Sequence, residues 1–506
     1  MTTASNNILD LFIIGGGIHG TGIAADAAGR GLTTALCEQN DLASATSSCS
    51  GRIFGGDILF LENLEINQVS RGLSERHIIR HRAPHLCQPI KIHILNNPKV
   101  HSKWSLSFGT AMYHFMAGKD EKEILQQWHQ LEDPTKDYPF ENQCFFYENL
   151  IDDTRLVVEN ALAAQQHGAN ILPHQRVISA QRIDQCWKIE TQSSFDNTQS
   201  NGAPNNQTFY SKTLVNAAGP WAQTVHCDLT HSDSRCEFKN QQLHYIYLEK
   251  FYEGNQGYWI QLGHHNVYSI IPVDHNRVMV GPILTDIIDD SEGEKIWQDE
   301  FLKPLLQRLN QQFQVNLSPK DVVRHQQQNQ LLLNENYPYS TDLTRDHLLD
   351  FNCPDGKTPL VSIFGGRLST YRVVAEQILA MLSPYLPKHS ADWTESSPLP
   401  GGNFSNDEFE LFKLEINRDY HWLDQDIRDR YVNQYGGRTQ ELLSGCHSLD
   451  HLGDSFGAGL YQREVDFLME QEWAVESGDI LWRRTELGYC GGEMDLEGLD
   501  RYMRAG

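Results

Sequence analysis

Residues 11–22 read LFIIGGGIHGTG, an apolar run that turns into a glycine cluster near the start of the chain. Leu11 to Ile14 predicts a buried parallel strand. Gly15, Gly17 and Gly20 supply the G-x-G-x-x-G spacing. The first permits a tight turn, the second lets a pyrophosphate approach the backbone, and the third lets helix and strand pack closely. The Ala-rich stretch Ile23 to Ala28 predicts a helix whose N-terminus faces the phosphates. A second strand, Leu32 to Cys37, ends at Glu38. That acid stands about 20 residues past the glycines, where a carboxylate can accept hydrogen bonds from a ribose diol. A glycine motif alone is weak. Strand, glycines, small-residue helix, second strand and terminal acid in this order point to an adenine dinucleotide rather than a purely structural turn.

The bulk properties bound the rest. At 506 residues the chain predicts two or three domains. With 40% hydrophobic and 21% charged residues it reads as an ordinary globular protein. No apolar run reaches the length of a transmembrane helix. The opening MTTASNNILD has neither a basic region nor a long apolar one, so no signal peptide is expected. Ten scattered cysteines form no C-x-x-C pair. They predict free thiols in a reducing compartment, with no disulfide frame and no metal site. The net charge of -25 argues against nucleic acid as a partner and against tight docking on anionic lipid. Contact through a local apolar face stays open.

Along the chain, Asp41 to Ser50 (DLASATSSCS) predicts a small, hydroxyl-rich loop that could lie beside a cofactor. Ile66 to His81 has helical spacing. Lys103 to Met116 (KWSLSFGTAMYHFM) predicts a core or interface helix, with an interfacial membrane element as the alternative. Asp153 to Gln166 reads as a helix stopped by Gly168, and Ala169 to Leu172 as a strand. Phe195 to Lys212 suits a polar hairpin tip. Thr213 to Ala217 is an apolar strand breaking into Ala218-Gly219-Pro220-Trp221. Leu243 to Ile271 suggests a β-rich second domain. Asp286 to Glu300 reads as an acidic solvated helix. Arg324 to Asn336 holds a Gln/Asn cluster. Leu360 to Phe364 is a further buried strand, followed by Gly365-Gly366 and a helix from Leu368 to Leu382. From Pro398 onward the pattern is helical.

The two late glycine turns favour FAD over NAD, because a cofactor with a second bulky end needs contacts that a simple NAD domain does not. A helix N-terminus behind Gly366 could stabilise negative charge on a reduced flavin. Here the chain resembles the FAD-dependent, quinone-linked glycerol-3-phosphate dehydrogenases. The resemblance rests on IGGGIHGTGIAADAAGRGL (14–32), DLASATSS (41–48), DDTRLV (152–157), NAAGPW (216–221), LTRDH (343–347) and FGGRLSTYR (364–372). In the tail it rests on YGGRTQELL (435–443), LGDSFG (452–457) and EWA…ILWRRTELG (472–488). It implies an α/β fold with a Rossmann-like FAD-binding domain, a mixed-sheet substrate domain and a C-terminal helical domain. The expected division is 1–85 with 150–230 and 350–392 for FAD, 86–149 with 231–349 for substrate, and 393–506 for the helical domain. The implied reaction is oxidation of sn-glycerol 3-phosphate to dihydroxyacetone phosphate, with electrons passed to a quinone. Non-covalent FAD, a cytoplasmic location with weak peripheral contact on the inner membrane, and a homodimer are further expectations. The cofactor contacts expected are Gly15, Gly17, Gly20, Glu38, Thr46, Ser47, Ser48, Ala218, Gly219, Gly365, Gly366 and Leu368.

The departures fall on the substrate side. The family reads K-L-I-H-G-G-L-R-Y where this chain has Arg52 to Phe60, so the expected His is Gly55, the second Gly is Asp57 and the expected Arg is Leu59. An S-G-V-R-P segment becomes Gln327 to Leu331, which removes another Arg. A G-T-T-D turn becomes Gly281 to Leu284, and the Lys of FGGK becomes Arg367. Arg52, Arg345 and Arg367 remain as catalytic-site cations for a phosphate. Three readings stay open: the same substrate in an altered pocket, a different and less anionic small substrate, and a catalytically impaired FAD-binding homologue.

Overall fold

The computed structural model describes residues 8–61, 64–95, 103–131, 140, 143–194, 206–232, 238–261, 267–287, 296–333, 347–490 and 492–505. The opening apolar run forms the strand Leu9–Ile14, buried from Asp10 onward. It lies inside an eight-stranded sheet, parallel to Thr34–Cys37 on one side and to Asn206–Asn216 on the other. Asn170–Leu172 continues the sheet beyond Thr34–Cys37, and Leu360–Gly365 continues it beyond Asn206–Asn216, both in parallel. His347–Asn352 closes that edge in antiparallel fashion. Because three parallel neighbours end at one edge, the turns after Ile14, Asn216 and Gly365 emerge side by side. That edge is where ligands bind in open α/β sheets.

The helix Ile18–Gly29 explains why its residues are small. Ala24, Ala25, Ala27 and Ala28 are all buried, and a helix that is apolar all round belongs in a core. Gly22 lies against the Tyr371 ring and Gly29 against the Trp393 indole. The helices Asp153–Gln166 and Tyr371–Leu382 pack beside it around one apolar cluster. Asp152 caps Asp153–Gln166 by accepting a hydrogen bond from the Arg155 N–H at 2.9 Å.

A second eight-stranded sheet is mostly antiparallel. Its long strand Phe238–Glu249 alternates as a strand buried on both faces should. Leu243, Tyr245 and Tyr247 face one core with Ile92, Trp259 and Met279, while Ile246 and Leu248 face another beneath the helix Lys303–Phe313. The Gln/Asn cluster forms part of the edge strand Val322–Leu333, paired with Phe238–Glu249. The strand Ile53–Phe54, placed by sequence in the FAD-binding stretch, pairs with Phe145–Ile151 of this second sheet.

The helix expected over Lys103–Met116 runs to Leu131, with a non-helical break at Gly118. It is only half core: Tyr113 and Ala117 are buried, but Trp104, Phe108 and Phe115 are 79%, 61% and 86% exposed. The expected hairpin tip lies partly outside the described residues, as does most of the acidic stretch Asp286–Glu300.

The tail is helical with its own apolar cluster around Tyr431, Tyr435, Leu468 and Ile480, and it contains a two-stranded ribbon, Ser455–Gly457 with Leu460–Tyr461. It is fastened to the first sheet's helices by buried ions. Arg484 donates to both oxygens of Asp41 at 2.7 and 2.9 Å, and Arg483 Nε donates to the same carboxylate at 2.6 Å. Arg155 pairs with Glu472, and Arg438 donates to Glu472 Oε1 at 2.6 Å. Burial opposes the charge on Glu472, but Arg155, Arg438 and Arg484 overcome that penalty and take its carboxyl down to about 2.

A carboxyl whose folded value lies below its ordinary 4.5 adds stability above that pH and loses it as the pH falls toward 2. Glu472→Gln should therefore lower stability at neutral pH by about 3–5 kcal/mol, since it leaves buried arginines unanswered. It should also flatten the acid limb of the stability profile. Urea unfolding followed by tryptophan fluorescence from pH 7 down to pH 3 checks both. An unchanged midpoint and acid limb would mean that the network does not hold the tail.

Candidate active site

The three glycine turns meet at the edge where the parallel strands end. At Gly15 the backbone takes φ +113°, and a Cβ there would overlap the Ala217 carbonyl. Gly20 is equally constrained, by the Gly15 carbonyl. Gly17 differs: an added Cβ would meet only Ser47 Oγ, at 3.0 Å, so this glycine faces open space. The first and third glycines thus serve the packing of turn and helix, and the middle one keeps a cradle clear.

The helix N-terminus opens into that cradle with no side-chain cap at Gly17. Ser47 Oγ accepts a hydrogen bond from the Ile18 N–H at 3.0 Å, which brings the 41–50 loop to the helix end. Thr46 Oγ1 donates to the Asn329 carbonyl at 2.8 Å, Ser48 Oγ donates to the Ala45 carbonyl at 2.9 Å, and Gln326 Nε2 donates to the Ser48 carbonyl at 2.8 Å. Ser47 therefore faces the cradle, while Thr46 and Ser48 join the loop to the second sheet and to itself. Glu38 accepts from the Gly16 N–H at 2.7 Å and from the Asn40 N–H at 2.9 Å. Burial pushes its carboxyl above the ordinary range against these donors.

At the neighbouring turn, the Ala217 N–H donates to the Ile14 carbonyl, and Asn216 Nδ2 donates to the Ala222 carbonyl at 2.7 Å. This fixes Ala218 and Gly219 beside Gly15. Gly365 and Gly366 follow on the next strand, with Leu368 in a short turn leading to the helix Tyr371–Leu382. The residues present fit FAD: a clear cradle at Gly17, a helix N-terminus facing it, an acid at the ribose position and two further turns alongside.

Two residues here escaped sequence reasoning. The His19 ring lies against Gly366, joining the first and third turns. Burial, with His347 nearby, drops its imidazole to about 4, so it is neutral at physiological pH. A histidine inside the glycine motif was the available signal. Glu148 lies beneath Gly55, and a Cβ on Gly55 would overlap its carboxylate. Glu148 accepts from the Tyr113 hydroxyl and from Arg76 at 3.2 Å, and burial pushes its carboxyl up to about 7 despite Arg76. Tyr113 in turn accepts from the Gly56 N–H at 3.0 Å. No histidine fits at 55 in this arrangement. Nothing in the linear sequence pairs residue 148 with residue 55.

The three candidate cations separate. Arg52 is 7% exposed and pairs with Glu486 of the tail, so its charge is already answered inside the protein. Arg345 lies outside the described residues. Arg367 is half-buried just after the last glycine turn, with its guanidinium 4.6 Å from the Phe60 ring centre and a 3.1 Å hydrogen bond to Gln68 Oε1. Leu59 packs its apolar side chain on the second sheet's core. A cleft of about 280 Å³ nearby is lined by Pro220, Trp221, Gln242, Gln327, Gln328 and Asn329, neutral amides for the most part.

Comparison with known proteins agrees with this geometry. The model of the FAD dependent oxidoreductase family matches residues 10–329. The chain is 35% identical to a glycerol-3-phosphate dehydrogenase of Pseudomonas aeruginosa over 485 residues, covering 95% of this chain and 92% of the relative. It is 33% identical to a D-erythritol 1-phosphate dehydrogenase of Brucella abortus over 487 residues, covering 94% of each. Its fold is similar to that of the glycerol-3-phosphate dehydrogenase from Bacillus halodurans complexed with FAD, with a TM-score of 0.70 at 23% identity, covering 99% of this chain and 89% of that one.

Gly17→Val should abolish flavin binding, because the side chain would fill the one open position of the motif. Glu38→Ala should weaken binding less. The ratio of flavin to protein absorbance in the purified variants measures this. Full flavin content in Gly17→Val would place the cofactor elsewhere.

Proposed function

The chain belongs to the family of FAD-dependent glycerol-3-phosphate dehydrogenases, and we propose that it oxidises the secondary alcohol of sn-glycerol 3-phosphate to the ketone of dihydroxyacetone phosphate. The observation that carries this reading is the convergence of three glycine turns on one sheet edge, with Arg367 directly after the last. FAD held there supplies the two-electron acceptor. The chain's own part is to bind and orient. The uncapped N-terminus of Ile18–Gly29 would hold the pyrophosphate with Ser47 beside it, and Glu38 would hold the ribose. Arg367 offers forked donors to the phosphate, steadied by Phe60 and Gln68. Arg345 is a second cation on the family motif LTRDH. His19 contributes a neutral imidazole where two of the turns meet.

A second reading keeps the chemistry and lengthens the substrate. Relatives at 35% and 33% identity carry the names of dehydrogenases for a three-carbon and a four-carbon polyol phosphate. The residues that depart here, Gly55, Leu59 and Gln330, are on the substrate side. We read the division into 1–85 with 150–230 and 350–392, 86–149 with 231–349, and 393–506 as cofactor, substrate and helical parts. The two separate sheets and the tail's own apolar cluster support it, save that Ile53–Phe54 belongs to the second sheet.

Anaerobic stopped-flow bleaching of the flavin tests the substrate. Glycerol 3-phosphate should bleach it, and glycerol should not. Arg367→Gln should raise the half-saturation about 10- to 100-fold, the loss expected for a charged hydrogen bond of ~1.5–3 kcal/mol. Bleaching by D-erythritol 1-phosphate at lower concentration than glycerol 3-phosphate would favour the longer substrate. No bleaching by either phosphate would overturn the reading.

A quinone acceptor and peripheral membrane contact form the remainder of the proposal. Among the described residues no helix is long and apolar enough to cross a membrane. Trp104, Phe108 and Phe115 share one exposed helical face, with Trp104 and Phe108 stacked at 6.0 Å. Binding through this face works against the charge of -25, so flotation with anionic liposomes should be weak and should strengthen with salt. Replacing all three aromatics by Ser should remove it. Flotation unchanged in that variant would place the contact elsewhere.

A further inference from the structure

The helix Ile66–Arg82 carries His77 and His81 one turn apart, and the neighbouring helix Lys103–Leu131 brings Glu123 against them. One ligand atom from each of the three lies within 4.8 Å of the others. None of the three serves the cofactor cradle or the candidate phosphate cations.

The local chemistry is that of a metal site. Residues four apart share a helix face. The two rings are 4.4 Å apart between centres and inclined by 54°, so they are not simply stacked. His81 Nδ1 donates to the His77 carbonyl at 2.8 Å. A carbonyl can only accept, so the proton sits on Nδ1 and Nε2 keeps its lone pair, the tautomer that a ligating imidazole needs. The side chains of His77 and Glu123 are 45% and 42% exposed, but His77 Nδ1 and Glu123 Oε2 themselves are covered and make no hydrogen bond. Buried polar atoms are ordinarily paired, and a cation would answer both. Asp120 Oδ1 stands 3.5 Å from His77 Nδ1, close enough to orient the ring or to join as a further ligand. The nearest opposing charge is Arg80, 4.0 Å from Glu123 Oε2. Its guanidinium is engaged by Asp120 at 2.7 Å and Gln127 at 2.8 Å.

We propose that His77, His81 and Glu123 bind a late first-row divalent ion, Zn²⁺ by ligand type, which fastens the two helices together. Two imidazoles and one carboxylate suit zinc far better than magnesium or calcium, which prefer all-oxygen sets. The first of these helices also carries Gln68, the partner of Arg367, so the fastening bears on the wall of the substrate side.

The test titrates the FAD-loaded protein with Zn²⁺ against a chromogenic chelator. The wild type should take one tightly held ion that is lost in the double variant His77→Ala/His81→Ala. Each single histidine variant should weaken binding by at least about tenfold, and Glu123→Gln by less. Saturating Zn²⁺ should raise the thermal midpoint of the wild type and leave that of the double variant unmoved. His451→Ala, drawn from a different histidine pair in the tail, should bind as the wild type does. Flavin content and the metal-free thermal midpoint establish that each variant is folded. The proposal is overturned if the wild type takes up no Zn²⁺ at micromolar concentration, or if the double variant keeps the wild-type stoichiometry and affinity.

Discussion

Asp41 is a carboxylate shut away from water and held by two arginines from the far end of the chain. A buried charge is tolerated only when it is paired and hydrogen-bonded, so the 41–50 loop and the tail cannot be placed independently. Burial opposes the charge of Asp41, but Arg484 and Arg483 outweigh it and hold the carboxyl below its ordinary range. The same loop delivers Ser47 to the helix N-terminus and Thr46 to the second sheet. The cofactor cradle therefore has its shape because the tail is docked, and the tail is docked because Glu472 gathers Arg155, Arg438 and Arg484 around one carboxylate. Arg52 with Glu486 extends the clamp toward the second sheet.

The substrate side follows a different logic. Residue 55 has no side chain, and the space a side chain would take holds the Glu148 carboxylate with Tyr113 and Arg76 behind it. The exchange is mutual: any Cβ at 55 would displace Glu148. Restoring a histidine there would thus require a change at 148 as well. Leu59 packs, partly buried, against the second sheet's apolar core, where a guanidinium in its place would need a partner.

Much of the fold was legible in the sequence because its signals are local. The run 11–22, with Glu38 at the end of the next strand, fixes a strand–turn–helix–strand unit by steric need at Gly15 and Gly20 alone. The glycine turns at 216–221 and 364–372 were readable as breaks after apolar strands, and the parallel register of those strands places them beside the first. The tail motifs were visible only as a resemblance. Their physical meaning appears when Arg155, Glu472, Arg483 and Arg484 meet, because the partners of a buried ion are set by tertiary structure. The Gln/Asn cluster gave no strand signal, since amides favour no periodicity. Pairing with Phe238–Glu249 made it an edge strand. Arg52 reads from the sequence as an arginine near a cofactor loop, and its partner Glu486, over four hundred residues away, comes to it only through the fold. For the helix Lys103–Leu131 the aromatic content did not say which side faces the core, so the sequence left core and interface roles open.

The two regions differ in how tightly each residue is bound to its neighbours. The ions that join tail, loop and first helix leave little freedom: each buried charge has several partners, and removing one strands the others. The wall formed by Gly55, Leu59, Phe60 and Arg367 is built from exchanges of volume and of single charges, which neighbours such as Glu148 and Gln68 absorb. Arg367 sits where the two meet, its backbone set by the last glycine turn and its guanidinium lying on Phe60. Its position is thus set from both ends, the backbone by the steric need of the glycine turn and the guanidinium by the aromatic ring and the Gln68 amide.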